Sequence, residues 1–174
     1  MTKRYPKTLS RGANNTVIAL SSTEVAKLFV EDTRSDIGSE AEKMQYAHAV
    51  NDLVVKFIRL DIDEGLDADM LVMERLHPLD FRAYEFERRE LWLDLLEDEL
   101  TALHRAGFVH RGIQRPSDMP GMRFDNIFLT ESGIRLIDVG ISALRSKVGD
   151  RLFQRFVNRE LEELEIFRKF WLSR

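Results

Sequence analysis

LTALHRAGFVHRGIQRPSDMPGMRFDNIFLTESGIRLIDVG, running from Leu100 to Gly140, is the stretch whose reading decides the fold. It opens on the end of a helix. Leu93, Leu96, Leu100 and Leu103 recur at helical spacing after Pro78, and Gly107 supplies a stop. It closes on DNIFLTESGIRLIDVG, two short apolar runs around Glu131-Ser132-Gly133, which predicts a hairpin. Between them stand His110-Arg111-Gly112 and then QRPSDMPGM, whose prolines and glycine predict a projecting loop. Asp138 follows the apolar run IRLI, and a carboxylate at the end of a buried strand is costly unless a cation or N–H donors satisfy it. Asn126 opens the partner strand, so the two fall at one end of the hairpin. Such a pair of oxygen-bearing side chains either suits a hard cation such as Mg²⁺ or forms an Asx turn at each end.

Upstream, TLSRG, NTVIALSS and EVAKLFVE read as strands, with Ser21-Ser22-Thr23 turning between the second and third. DTRSDIGSEAEKMQYAHAVND predicts a helix with Ser39 as N-cap and Glu40 and Glu42 in its first turn. LVVKFIRLDI and ADMLVMERL predict two more strands, joined through Asp63-Glu64-Gly65. Downstream, a helix starts near Asp150, with Phe153, Val157, Leu161, Leu164, Phe167 and Trp171 on one face. That face either packs under the hairpin or the long helix, or offers Phe167, Phe170 and Trp171 to a partner. Five strands with one inserted helix, then helices around a hairpin, predict a two-lobed α+β protein with its cleft near residues 74–80.

Bulk properties narrow the function. The 174 residues suffice for one domain with a core, and 44% hydrophobic with 32% charged residues is an ordinary soluble composition. A formal charge of -4 gives no global field for nucleic acid or an anionic membrane. The absence of cysteine excludes disulfides, thiolate chemistry and cysteine-ligated zinc, and fits a reducing cytoplasm. His48, His77, His104 and His110 lack metal-ligand spacing. No apolar run approaches the roughly 20 residues of a membrane span, and MTKRYPKTLS lacks the apolar core of a secretory signal.

Two further features carry chemistry. In LSRGANNTV, Gly12 either makes a plain hairpin turn or lets backbone N–H groups approach a phosphate. Lys27, in EVAKLFVE, either points to solvent or faces the cleft as a phosphate ligand, with Glu40 or Glu42 of the next helix as its carboxylate partner.

Taken in order, LSRGANNTV, EVAKLF, a glutamate-bearing helix, LVMERL, LHRAGFVHRG and DNIFLTESGIRLIDVG resemble the protein-kinase fold from about Leu9 to Gly140. The resemblance implies one kinase-like domain over residues 1–174: a five-stranded sheet plus one helix to about residue 76, a hinge at about 74–80, and a reduced helical lobe over about 81–174. It implies that Gly12 stands for the middle glycine of the phosphate loop, with Ser10 and Asn15 replacing the outer two, and that Val17 covers adenine. Lys27 then holds the α and β phosphates and pairs with Glu40, with Glu42 as the fallback. Met73 is the gatekeeper, and Glu74 and Leu76 offer hinge backbone groups to adenine. Asn126 and Asp138 match the two ligands of Mg²⁺ or Mn²⁺, with Val139 in place of the usual phenylalanine.

The departures from the family bear on activity. The aspartate expected after His-Arg is Gly112, and Asn126 follows after a longer interval than usual, so any substitute base comes from elsewhere, Asp118 first and Asp125 second. After Gly140 only 34 residues follow, without an APE-like motif, a long activation segment or the usual substrate platform. This resembles minimal bacterial kinase-like proteins, secreted effectors among them. The implied function is ATP-dependent phosphoryl transfer, foremost to protein Ser/Thr. The alternatives are a pseudokinase that binds nucleotide and a protein partner, or a small-molecule or lipid kinase.

Overall fold

The alternating first half folds as a sheet because its strands have apolar residues to bury on both faces. The structure, a computed structural model, describes residues 5–11, 16–30, 36–115 and 122–173. Strands β1 (Lys7–Arg11), β2 (Thr16–Ala19), β3 (Glu24–Phe29), β4 (Phe57–Asp63) and β5 (Ala68–Glu74) form one antiparallel sheet in the order β1-β2-β3-β5-β4. Helix α1 (Ile37–His48) is inserted between β3 and β4. In β3, Val25 and Phe29 face α1 and the helical half, while Ala26 and Leu28 join Ile18, Ala68, Met70 and Val72 on the other face. Helix α2 (Phe86–Ala106) buries Leu93, Leu96, Leu100 and Leu103 and stops at Gly107, whose φ of 95° is the left-handed conformation that glycine adopts without strain.

Short strands β6 (Phe108–Val109) and β9 (Ala143–Leu144) pair with each other. The hairpin is β7 (Ile127–Thr130) with β8 (Gly133–Leu136). A single turn, α3 (Arg145–Val148), leads into α4 (Asp150–Leu172). One apolar core runs from the sheet through α1, α2 and the hairpin to α4. Each fully buried Leu or Phe in it contributes about 1.5–3 kcal/mol. No helix among the described residues is long and apolar enough to cross a membrane. The protein is thus a mixed α+β fold built on a five-stranded antiparallel sheet.

Three expectations are corrected. The N-cap of α1 is Asp36, whose carboxylate accepts from Ser39 N–H at 2.6 Å, so Ser39 lies within the helix, and Glu40 but not Glu42 falls in the first turn. A carboxylate cap is favoured here because it meets both an orphan N–H and the positive helix end. The segment Leu53-Val54-Val55 is no strand of the sheet. It is a continuous buried run whose backbone bonds go to the hairpin, with Val55 N–H on Leu136 O at 2.9 Å and Leu136 N–H on Leu53 O at 2.8 Å. On α4, Leu161 is exposed and Glu160 is buried in its place. The buried face of α4 packs on α2, and Phe167 meets Phe124 and Phe170 at ring-centroid distances of 5.2 and 6.4 Å.

Candidate functional site

Lys27 sits on the central strand β3, on the sheet face turned toward α1. Its neighbours across the ladder are Val17 on β2 and Leu71 on β5, and Met73 lies two pairs along, opposite Val25 on the same face. Only 8% of Lys27 is exposed. A buried ammonium needs counter-charge, and Lys27 Nζ finds it at 3.0 Å from both carboxylate oxygens of Glu40. Helical periodicity explains why Glu40 and not Glu42 is presented. Glu40 shares the buried face of α1 with Ala41, Met44 and Ala47, whereas two residues on is about 200° around the axis. Glu42 is exposed and lies 3.8 Å from Lys147.

Asp138 comes to the same lysine from the end of the hairpin, its Oδ1 at 3.4 Å from Lys27 Nζ. Burial works to raise its pKa, but the charge of Lys27, the Gly140 N–H at 3.2 Å and the lysine hydrogen bond outweigh that and hold the carboxyl below the usual range. Asp138 has φ of 62° and Arg111 φ of 67°. Left-handed backbone at a non-glycine residue is held only where its surroundings over-determine it, and of the three such residues among those described two flank this site, the third being Asp67 in the turn between β4 and β5. The register fixes Asn126 beside Asp138, because Ile137 N–H donates to Asn126 O at 2.9 Å. Asn126 is buried, and its Nδ2 donates to Gly112 O at 3.1 Å.

The loop between β6 and the hairpin carries the His110-Arg111 pair that the sequence singled out, and it is organised by a glutamate that the sequence reading passed over. Glu160, on α4, has a fully buried carboxylate. It accepts from His104 Nε2 at 2.7 Å, Arg111 N–H at 2.8 Å and His110 N–H at 3.3 Å. His110 is fully buried as well. Its Nε2 donates to Ile137 O at 2.9 Å and its Nδ1 accepts Gly112 N–H at 3.1 Å, an arrangement only the neutral ring satisfies. Desolvation lowers its pKa against the opposing pull of Glu160, the Ile137 carbonyl and Asp138. Ser142 Oγ donates to His110 O at 2.8 Å, Lys43 Nζ donates to Gly140 O at 3.2 Å, and the Arg111 guanidinium lies 3.7 Å from the Phe156 ring centroid.

Gly112 is crowded. A Cβ there would lie 3.0 Å from Asn126 Nδ2, 3.0 Å from His110 Cε1 and 3.1 Å from His110 Nδ1. A side chain at this position must therefore push aside two buried groups, one of them the Asn126 amide. Of the substitute bases, Asp125 is held by Arg115 at 3.2 Å through both carboxylate oxygens. Asp118 lies outside the described residues, as does Gly12.

At the end of β5 Glu74 is occupied. Its carboxylate accepts Lys56 N–H at 2.8 Å and pairs with Arg135 of β8, while its own N–H donates to Lys56 O at 3.0 Å. Leu76 packs against the core just beyond. Arg135 is a second group the sequence reading passed over. A buried arginine within the apolar run GIRL is the only signal it leaves.

The oxygens fit a hard cation. Among the described residues, Asp138 Oδ2 and Asn126 Oδ1 take no hydrogen bond, since both contacts to Asp138 use Oδ1 and the contact of Asn126 uses Nδ2. No group of three or more His, Asp or Glu among the described residues makes an all-protein cage. Mg²⁺ does not need one, because it takes one or two carboxylates together with phosphate and water. No protein-family model matches the chain, and no curated protein matches it significantly.

Proposed function

We propose that this is a kinase-like phosphoryl-transfer domain that binds ATP with Mg²⁺ or Mn²⁺ and acts foremost on protein Ser/Thr. One observation carries the reading: a buried lysine on the central strand, clamped at 3.0 Å by Glu40 and shared at 3.4 Å with Asp138. A lysine with two carboxylate neighbours is a cation with one obligation too many, and a phosphate entering the site replaces Asp138 as its second partner. Asp138 is then released toward the side on which Asn126 stands. In the resting site the Lys27 charge and the Gly140 N–H hold its carboxyl below the usual range, so it waits as an anion, as a metal ligand must be. Asn126 Oδ1 and Asp138 Oδ2 are the atoms that would hold Mg²⁺ or Mn²⁺, which supplies charge neutralisation on the phosphate oxygens when bound. Val17 and Met73, on the same sheet face as Lys27, offer apolar cover for a base. Phosphoryl transfer is mostly positioning and charge stabilisation, so a site without a carboxylate at 112 retains slow transfer.

A second reading is favoured by the crowding at Gly112 and the capture of Asp125 by Arg115. In it the domain binds nucleotide without transferring phosphate and serves as a protein-binding module.

The test is thermal unfolding with ATP and Mg²⁺, followed by autophosphorylation with labelled ATP. At a ligand concentration of 100 times Kd, binding adds about 2.7 kcal/mol of stability and raises Tm. Lys27→Ala should abolish the rise and any label. A Tm rise without label in wild type selects the binding module. No rise at millimolar nucleotide with metal present refutes both readings.

A further inference from the structure

Strand β4 is one of the two edges of the sheet, β1 being the other: it pairs with β5 on one side, and no described residue pairs with the other side. Its sequence, Ile58-Arg59-Leu60-Asp61-Ile62, leaves three large apolar side chains in water, with Ile58 39%, Leu60 48% and Ile62 62% exposed. Edge strands are ordinarily blunted by charged side chains, proline, bulges or a covering element. Here charge falls on one face only. Arg59 and Asp61 stand opposite Val72 and Met70, on the outer face of the sheet, while Leu60 stands opposite Leu71 on the face toward α1.

We propose that β4 pairs antiparallel with β4 of a second copy of this chain, about a two-fold axis through Leu60, to give one continuous sheet across the dimer. The register follows from the sequence. Centred on Leu60, it sets Leu60 against Leu60, Arg59 against Asp61 of the second copy, Asp61 against its Arg59, and Ile58 against its Ile62. Every pair is then apolar with apolar or cation with anion, as an isologous interface requires. Shifting the centre to Arg59 or to Asp61 puts like charges face to face, and a half-step sets leucine against a charge. The backbone agrees. Ile62 N–H is bonded by the carboxylate of its own neighbour Asp61 at 2.9 Å, so it points away from the ladder with β5. Alternation along a strand then turns Leu60 N–H and C=O outward too, which makes the central Leu60 pair one that exchanges both backbone hydrogen bonds. When Asp61 swings to Arg59 of the second copy, Ile62 N–H is freed for the carbonyl of Ile58 across the axis. The bulge between Phe57 and Arg59 falls at Ile58, so regular pairing runs out at that residue and the contact stays short. In the single chain Arg59 pairs with Glu24 at 3.0 Å and Asp61 at 3.4 Å, both on the same face, so the charges are already gathered where the second strand needs them.

The experiment is size-exclusion chromatography with light scattering over a concentration series, on wild type, Arg59→Asp, Asp61→Arg and an equimolar mixture of the two variants. Wild type should dimerise. Each variant alone sets like charges against each other twice per interface and should weaken association by roughly tenfold or more. The mixture restores two cation–anion pairs and should recover a one-to-one dimer. Leu60→Lys, which sets two lysines on the axis, gives the same loss by a different side chain, and circular dichroism reports whether each variant is folded. A wild type that stays monomeric throughout the series overturns the proposal, as do single variants that dimerise like wild type or a mixture that does not recover association.

Discussion

Glu40 and Glu160 are both buried glutamates presented by helices to the same site, and they are neutralised by different means. Glu40 meets one side chain, the ammonium of Lys27. Glu160 meets an imidazole and two backbone N–H groups, those of His110 and Arg111. The first arrangement is exchangeable, because Lys27 is also shared with Asp138 and its partners can be reapportioned when an anion arrives. The second is a fixture, because backbone donors have nowhere else to turn. The sheet side of the site is therefore the adjustable side and the loop side the rigid one.

Removing Glu160 is the most damaging way to break this contrast. Glu160→Ala strands two buried backbone donors and should cost about 3–5 kcal/mol, read as a lower urea midpoint at unchanged m-value. Glu160→Gln retains one acceptor oxygen but turns an amide N–H toward the donors, so it should fall between wild type and the alanine variant. A loss below about 1 kcal/mol for Glu160→Ala, the cost of an ordinary substitution, would mean that the loop is held by something other than this carboxylate.

Lys27→Met comes next, at about 3 kcal/mol. It is milder because an abandoned carboxylate at Glu40 can take up a proton, an escape the backbone N–H groups at 110 and 111 lack. Since the partner here is a side chain, both members can be neutralised together. Lys27→Met with Glu40→Gln should cost less than the sum of the two single changes by about 1–3 kcal/mol. Additive losses in denaturant melts would show that the two groups do not act as a pair.

The two glutamates also mark where sequence reasoning succeeds and where it stops. A lysine inside EVAKLF and a glutamate on the next helix break apolar patterns of known period, so both could be singled out and set against each other. The hairpin, the long helix and its stop at Gly107 were legible for the same reason. Glu160 was not. A glutamate on an amphipathic helix reads as solvated, and its partners are backbone groups, which leave no signature in the residue types. The spacing did hold a clue. Phe153, Val157, Glu160, Leu164, Phe167 and Trp171 step by four and three in strict alternation, and only the preference for an apolar residue moved the reading to Leu161. Leu53-Val54-Val55 misled in the same way, since a buried apolar run looks like a strand whichever partner takes its hydrogen bonds. The self-complementary edge of β4, by contrast, needed the sheet order before its pattern could mean anything.

pH separates the two sides further. The depressed pKa of His110 means that the unfolded chain binds more protons than the folded one between the folded value and the ordinary 6.5. Stability from the neutral ring is complete above the unfolded pKa and is lost as pH falls through the folded one, with a slope of at most about 1.4 kcal/mol per pH unit for this one proton. Asp138 has the same sign but loses its contribution at lower pH, below the ordinary carboxylate range. Urea melts between pH 8 and about 5 should therefore report the loop side first. His110→Gln should flatten that part of the curve, while Asp138→Asn should leave it unchanged. A curve flat in wild type over the same range would show that His110 ionises without strain.

The smallest expected effect lies next to the largest. Leu161 is 44% exposed and Glu160 1% exposed, one residue apart on the same helix. Leu161→Ala removes an apolar side chain that already stands in water, and alanine is the better helix former, so the change should stay within about 0.5 kcal/mol in either direction. Hydrophobicity alone ranks the two positions the other way, making the leucine costly and the glutamate dispensable. Denaturant melts of Leu161→Ala and Glu160→Ala side by side decide between the two orderings. A cost at Leu161 as large as that at Glu160 would mean α4 is rotated by about 100°, one residue's turn, and would remove Glu160 from the loop it is placed to hold.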